Sequence, residues 1–141
     1  MQRTILLVED NAGDVRLTRE ALREAEVAVE LVAVSDGEQA LAYLRRHGEH
    51  AGAERPDLIL LDLNLPMKNG LEVLEEIRRD ADLRRIPVIM LTTSSSARDA
   101  AACHDRGVNC YAVKPLEHDD FTALVQAINR FWFEVARLPP R

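Results

Sequence analysis

An α/β fold, with a parallel sheet covered on both faces, is predicted by two observations on this 141-residue chain. Short runs of uninterrupted apolar residues recur along it: Ile5-Leu6-Leu7-Val8, Leu58-Ile59-Leu60-Leu61 and the stretch from Pro87 to Leu91. A run of four to six such residues, closed by Pro, Gly or acidic residues, fits a strand buried on both sides. Between these runs lie segments whose apolar residues recur at spacings of three and four, as in a helix packed on one face.

Each element follows in order. Ile5 to Val8 is the first strand, and Asp14 to Ala25 is a helix with Val15, Thr18, Leu22 and Ala25 on one side. Val29 to Val34 alternates less cleanly and is read as the second strand. From about Gly37 to Arg46 a helix presents Ala40, Leu41 and Leu44, and His47-Gly48 ends it. The polar stretch from His47 to Arg55 is a loop insertion, too short to join two domains. Leu58 to Leu61 is the third strand, Asn69-Gly70 opens a helix carrying Leu71, Leu74 and Ile77, and Pro87 to Leu91 is the fourth strand. An alanine-rich helix from Ser96 to Arg106 is stopped by Gly107. Asn109 to Val113 is the fifth strand, and a last helix begins near Glu117 and runs past Phe131.

Right-handed crossovers leave few ways to join five such units, and the flavodoxin-like (βα)5 three-layer sandwich with strand order 2-1-3-4-5 fits them. In that order strands 1 and 3 lie side by side. Glu9 and Asp10 then share a pocket with Asp62 at the C-terminal edge of the sheet, where open α/β sheets bind ligands, and Thr92 and Lys114 arrive from strands 4 and 5. Three acids and one lysine released by buried strands read as a metal and phosphoryl site. Attack of a carboxylate on phosphorus spreads charge over three equatorial oxygens, so the anionic nucleophile must be flanked by cations. Lys114 supplies one, and Mg²⁺ held on carboxylate oxygens supplies the other.

Composition narrows the partners. Net charge is −6 and the basic residues are dispersed among acids, so the electrostatic footprint of a nucleic-acid binder is missing. Protein partners are expected. Two cysteines, Cys103 and Cys110, are too few for a secreted disulfide framework, and no stretch has membrane length, so a cytoplasmic protein is expected. Cys103, His104 and Cys110 match no zinc spacing. Ser94, Ser95 and Ser96 read as a loop and helix cap, and Gly13 lacks the companions of a phosphate-binding glycine loop.

Four motifs stand in order: Val8-Glu9-Asp10-Asn11, Leu61-Asp62-Leu63-Asn64-Leu65-Pro66 with Gly70, Leu91-Thr92-Thr93, and Tyr111-Ala112-Val113-Lys114-Pro115. With them the chain resembles a response-regulator receiver domain, the phospho-accepting half of a two-component system, from about Ile5 to Ile128. The resemblance implies Asp62 as phosphoacceptor and a histidine kinase as phosphoryl donor. It implies Mg²⁺ bound directly by Asp10, Asp62 and the backbone carbonyl of Asn64, with Glu9 acting through water, and Lys114 aimed at a phosphoryl oxygen. Thr92 and Tyr111 fall on the family's switch positions, and the surface reporting the switch is the face of helix 4, strand 5 and helix 5. The resemblance also implies a cis Lys114-Pro115 bond, which the dipeptide alone only makes accessible.

The last helix offers Phe121, Leu124, Val125 and Ile128 as a core face and then continues through Phe131-Trp132-Phe133, Val135 and Leu138. Three successive aromatics point around more than one side of a helix and cannot all face one core. The chain is therefore read as one receiver domain, 1–141, with 129–141 as an aromatic C-terminal helix extension. Phe131, Trp132 and Phe133 are the candidates for a homodimer contact. Glu9 to Asp14, Thr92-Thr93-Ser94 and this tail resemble the stand-alone response regulators paired with phytochromes, which makes a bacteriophytochrome a candidate kinase. Ala12 departs from the proline that many of that group carry. No output domain is expected beyond the receiver, so the chain is expected to signal through changed protein association and to be no enzyme beyond self-phosphorylation and autodephosphorylation. A phosphorylation-independent dimerising scaffold is one alternative. An aspartyl-phosphate phosphatase is the other, weakened by Asn64 where such enzymes place a second acid.

Overall fold

Five parallel strands pair in the order β2-β1-β3-β4-β5 in the computed structural model, which describes residues 2–25 and 28–140. The strands are β1 (Arg3–Val8), β2 (Val29–Val34), β3 (Leu58–Leu61), β4 (Val88–Thr92) and β5 (Cys110–Val113). Five helices alternate with them: α1 (Ala12–Arg23), α2 (Gly37–Arg45), α3 (Gly70–Arg79), α4 (Ala97–Asp105) and α5 (His118–Arg130). Strand order and element order match the expected sandwich, with ends displaced by one or two residues.

Because side chains alternate across a strand, the sheet feeds two cores. Leu6, Val8, Ile59, Leu61, Val88 and Met90 meet the buried faces of α2, α3 and α4 through Leu41, Leu74, Ile77 and Cys103. On the other side Ile5, Leu7, Leu58, Leu60, Ile89 and Leu91 meet α1 and α5 through Leu22, Phe121, Val125 and Ile128. Each large aliphatic buried this way contributes about 1.5–3 kcal/mol, so both faces fix the register of the strands.

Four helices start at the C-terminal edge with a side-chain cap: Asn11 accepts from the Asp14 amide, Asp36 from Gln39, Asn69 from Glu72 in a reciprocal capping box, and Ser96 from Asp99. Gly70 has a second duty. A Cβ there would collide with the Asp62 carbonyl and Leu63 Cα, so only glycine lets α3 begin this close to the end of β3.

Three expectations are corrected. The second helix is closed by Arg46 in the left-handed conformation (φ 58°), not by Gly48, and the insertion after it contains a short 3₁₀ turn, Gly48–His50. The Lys114–Pro115 bond is trans, since there is no cis peptide among the described residues; a trans X-Pro bond is the intrinsically preferred form. The last helix does not continue unchanged. At Phe131 it widens to a π-helical turn, Phe131–Val135, closed by the Ala136 amide on the Phe131 carbonyl at 2.7 Å. Both Trp132 and Phe133 are half-buried against the α1/α5 core, while Phe131 packs edge-on against Trp132 and stays 49% exposed. Beyond them Pro139 and Pro140 line one small pocket together with Pro56, Ile86 and Pro87.

Candidate functional site

Backbone hydrogen bonds carry the sheet one residue past its strands, and this fixes the acids. The Glu9 amide donates to the Val34 carbonyl (3.0 Å), the Asp62 amide to Val8 (3.1 Å) and the Lys114 amide to Thr92 (2.7 Å). Glu9, Asp10 and Asp62 each place a carboxylate oxygen within 4.8 Å of the others. Glu9 and Asp62 are buried, Asp10 is exposed, and Lys114 is buried beside them. The expected pocket is assembled.

Lys114 Nζ donates to Glu9 Oε1, to Asp62 Oδ2 at 3.1 Å and to Asp14 Oδ2 at 3.0 Å. Asp14, in the first turn of α1, was not anticipated as a partner. Its position four residues after Asp10, at a helix start facing the same edge, is the pattern that could have shown it. The other oxygen of Asp62 accepts from the Asn64 amide at 3.3 Å. Both oxygens of the expected phosphoacceptor are thus oriented before any phosphoryl donor arrives.

The charges do not balance. Burial pushes the Glu9 carboxyl up to about 7, against the hydrogen bond from Lys114 that favours its ionised form, and the Asp62 charge adds to the rise. Burial alone would pull the Lys114 ammonium down, but its bonds to Glu9 and Asp14 and the surrounding negative charge hold it well above the ordinary lysine range. One ammonium is surrounded by more anionic groups than it can neutralise. A hard divalent cation fits this set, since Glu9, Asp10 and Asp62 offer only oxygens at close range. Beside Glu9 and Asp10 the site opens into a cleft of about 540 Å³, bounded by Ser35 and Asp36 from the turn between β2 and α2, Gln39 from α2 and His50 from the insertion.

Thr92 and Tyr111 meet through one residue. Thr92, fully buried at the end of β4, accepts from the Ser94 amide at 3.4 Å, and the Tyr111 hydroxyl donates to the Ser94 carbonyl at 2.9 Å. Ser94 Oγ in turn donates to Asp99 Oδ2 on α4 at 2.6 Å. Ser96 is the helix cap expected of the serine run, but the tie from Ser94 to Asp99 was missed because a serine three residues before a helix has no distinctive spacing. Phe131, Trp132 and Phe133 lie on the tail, apart from this pocket. Cys103 and Cys110 belong to opposite cores, and burial raises both thiols, so they form no joint metal site.

Residues 5–126 match the family model described as the response regulator receiver domain. The chain belongs to the response regulator receiver family. Response regulator Rcp1 of Synechocystis sp. is 47% identical over 137 residues, covering 97% of this chain and 93% of that protein. Among solved structures, the phosphorylated cyanobacterial phytochrome response regulator RcpA superposes with a TM-score of 0.96 at 49% identity, covering 99% of this chain and all of that one. The Mn²⁺-bound form of Rcp1 superposes with a TM-score of 0.93 at 46% identity, covering 98% and 99% of the two chains. The likeness to these receivers therefore extends past the family model into the aromatic tail. No helix among the described residues is long and apolar enough to cross a membrane.

Proposed function

We propose that this receiver, residues 1–141, acts as a single-domain two-component response regulator that accepts a phosphoryl group from a histidine kinase on Asp62, in a phytochrome light-sensing pathway. The observation that carries the reading is Lys114 Nζ, 3.1 Å from an oxygen of Asp62, a buried carboxylate at the end of β3 that also faces Glu9 and Asp10. In this reading Asp62 is the nucleophile, with the Asn64 amide and Lys114 orienting its two oxygens. Lys114 then follows the transferred group and neutralises one phosphoryl oxygen. Asp10 and Asp62, the Asn64 backbone carbonyl and Glu9 through water would hold Mg²⁺. When bound, the metal supplies further positive charge against the phosphoryl oxygens. Thr92 would bond a new phosphoryl oxygen, and because its neighbour Ser94 is shared with Tyr111 and α4, that movement reaches the α4, β5 and α5 face.

The protein is a phosphoacceptor and no enzyme beyond its self-phosphorylation and autodephosphorylation. It works in the cytoplasm, without nucleic acid, and signals through protein association. Phe131 and Val135, 49% and 69% exposed, support a homodimer contact on the tail, with Trp132 and Phe133 beneath as support. A chain ending near Arg130 should lose or weaken self-association in sedimentation runs over a concentration series. A full-length chain that stays monomeric, phosphorylated or not, removes the dimer from the reading. For the function itself, a phytochrome-class histidine kinase carrying labelled phosphate should pass the label to wild type and not to Asp62→Asn. Equal labelling of both, or of neither, overturns it.

A further inference from the structure

An ammonium has three N–H donors, and in Lys114 each one is taken by a carboxylate, from Glu9, Asp62 and Asp14. Glu9 and Asp62 belong to the expected site. Asp14 reaches the same nitrogen from α1, and its side chain is 24% exposed against 3% for Glu9 and 11% for Asp62. Its place is set from two sides. The Asp14 amide is capped by Asn11 at 3.0 Å, and its carbonyl accepts from Thr18 Oγ1 at 2.8 Å, so the first turn of α1 delivers this carboxylate to Lys114.

We infer that Asp14 is a positioning residue that draws Lys114 away from the transferring phosphoryl group, slowing both the loading of Asp62 and the hydrolysis of its phosphate. The inference rests on Asp62 being the phosphoacceptor. With acetyl phosphate as donor, an Asp62 oxygen forms a bond to phosphorus while the bond from phosphorus to the acetate oxygen breaks, and acetate leaves with that electron pair. In hydrolysis a water oxygen bonds to phosphorus, the Asp62 O–P bond breaks, and the carboxylate, inorganic phosphate and a proton are released. In the phosphorylated state Lys114 must turn a donor to a phosphoryl oxygen. A carboxylate hydrogen-bonded to that same ammonium competes for it, and its charge opposes the negative charge arriving on Asp62.

The test is acetyl phosphate saturation kinetics and decay of the Asp62 phosphate for wild type, Asp14→Asn, Asp14→Ala and Asp14→Glu, with Mg²⁺ present. Removing the charge should raise the maximal loading rate roughly threefold to tenfold and shorten the phosphate lifetime by a similar factor, a range set by a unit charge at short distance in a partly solvated site. Asp14→Ala should move both quantities in the same direction as Asp14→Asn, which keeps the test decisive if one of them folds poorly. Asp14→Glu, which restores the carboxylate, should return towards wild type. Charge-removing variants that load no faster than wild type, that change only the KM for acetyl phosphate, or that Asp14→Glu matches, overturn the inference while Asp62 phosphorylation stands. A wild type that takes up no phosphoryl group overturns both.

Discussion

Two basic side chains are drawn into opposite ends of this sheet, and their surroundings differ in kind. At the C-terminal edge Lys114 is met by charge, with Glu9, Asp14 and Asp62 on one ammonium. At the N-terminal edge Arg78 is met by neutral acceptors: its guanidinium donates to the carbonyls of Gly107 (2.8 Å), Arg84 (3.1 Å) and Ile86 (3.0 Å) and to Asn109 Oδ1 (2.7 Å). Burial lowers the Arg78 pKa, whereas that of Lys114 is raised. Asn109 Oδ1 also accepts from the Val88 amide, so the arginine ties the end of α3 to the starts of β4 and β5. The difference separates a site from a staple. Where acids outnumber the cation, the fold retains a demand for positive charge that a metal or an altered charge state can meet. Where dipoles satisfy the cation, nothing is left to bind.

The sharpest way to break this comparison is to remove each cation. Lys114→Met should cut labelling by acetyl phosphate about a hundredfold, the scale of losing one charged donor to a transition state. It also strands Glu9 and Asp62, which costs on the order of 3 kcal/mol in urea unfolding without divalent cation. Next in size is the metal. Excess Mg²⁺ at roughly a hundred times its dissociation constant should stabilise wild type by about 2.7 kcal/mol, and Asp10→Ala should lose most of that shift in thermal melts. Arg78→Met should cost about 1–3 kcal/mol by leaving its acceptors without their donors, yet label at the wild-type rate. Loss of labelling in that variant at temperatures where it is folded would erase the distinction between the two ends.

The remaining effect is pH dependence. Glu9 has a pKa raised from 4.5 to about 7 in the folded protein, so the native state binds its proton more tightly than the unfolded chain. Its contribution to stability is therefore complete below about pH 4.5 and is lost as pH rises through about 7. Without divalent cation, the thermal midpoint of wild type should fall across that window relative to Glu9→Gln. A difference between the two proteins that is flat or rising there would mean that Glu9 is not held back from ionising.

The sequence revealed those parts of the site that strand ends enforce. Glu9, Asp10, Asp62, Thr92 and Lys114 follow apolar runs, so strand order alone brings them to one edge. Asp14 and Asp99 escaped because each sits in the first turn of a helix, where an acid is ordinary, and only the rotation of that helix aims it at Lys114 or Ser94. Arg78 escaped for a similar reason, since its acceptors are mostly backbone carbonyls that any sequence would carry. The tail was half legible. A regular helix would splay Phe131, Trp132 and Phe133, but the π-turn packs Trp132 and Phe133 against the core and leaves Phe131 outermost.

Whether the oversupply of acid at the C-terminal edge serves phosphoryl acceptance is tested most directly by intact mass after incubation with acetyl phosphate and Mg²⁺. Wild type should gain one phosphoryl group, and Asp62→Asn, folded to the same circular dichroism spectrum, should gain none. An unlabelled wild type, or an Asp62→Asn chain labelled as fully as wild type, would contradict the account.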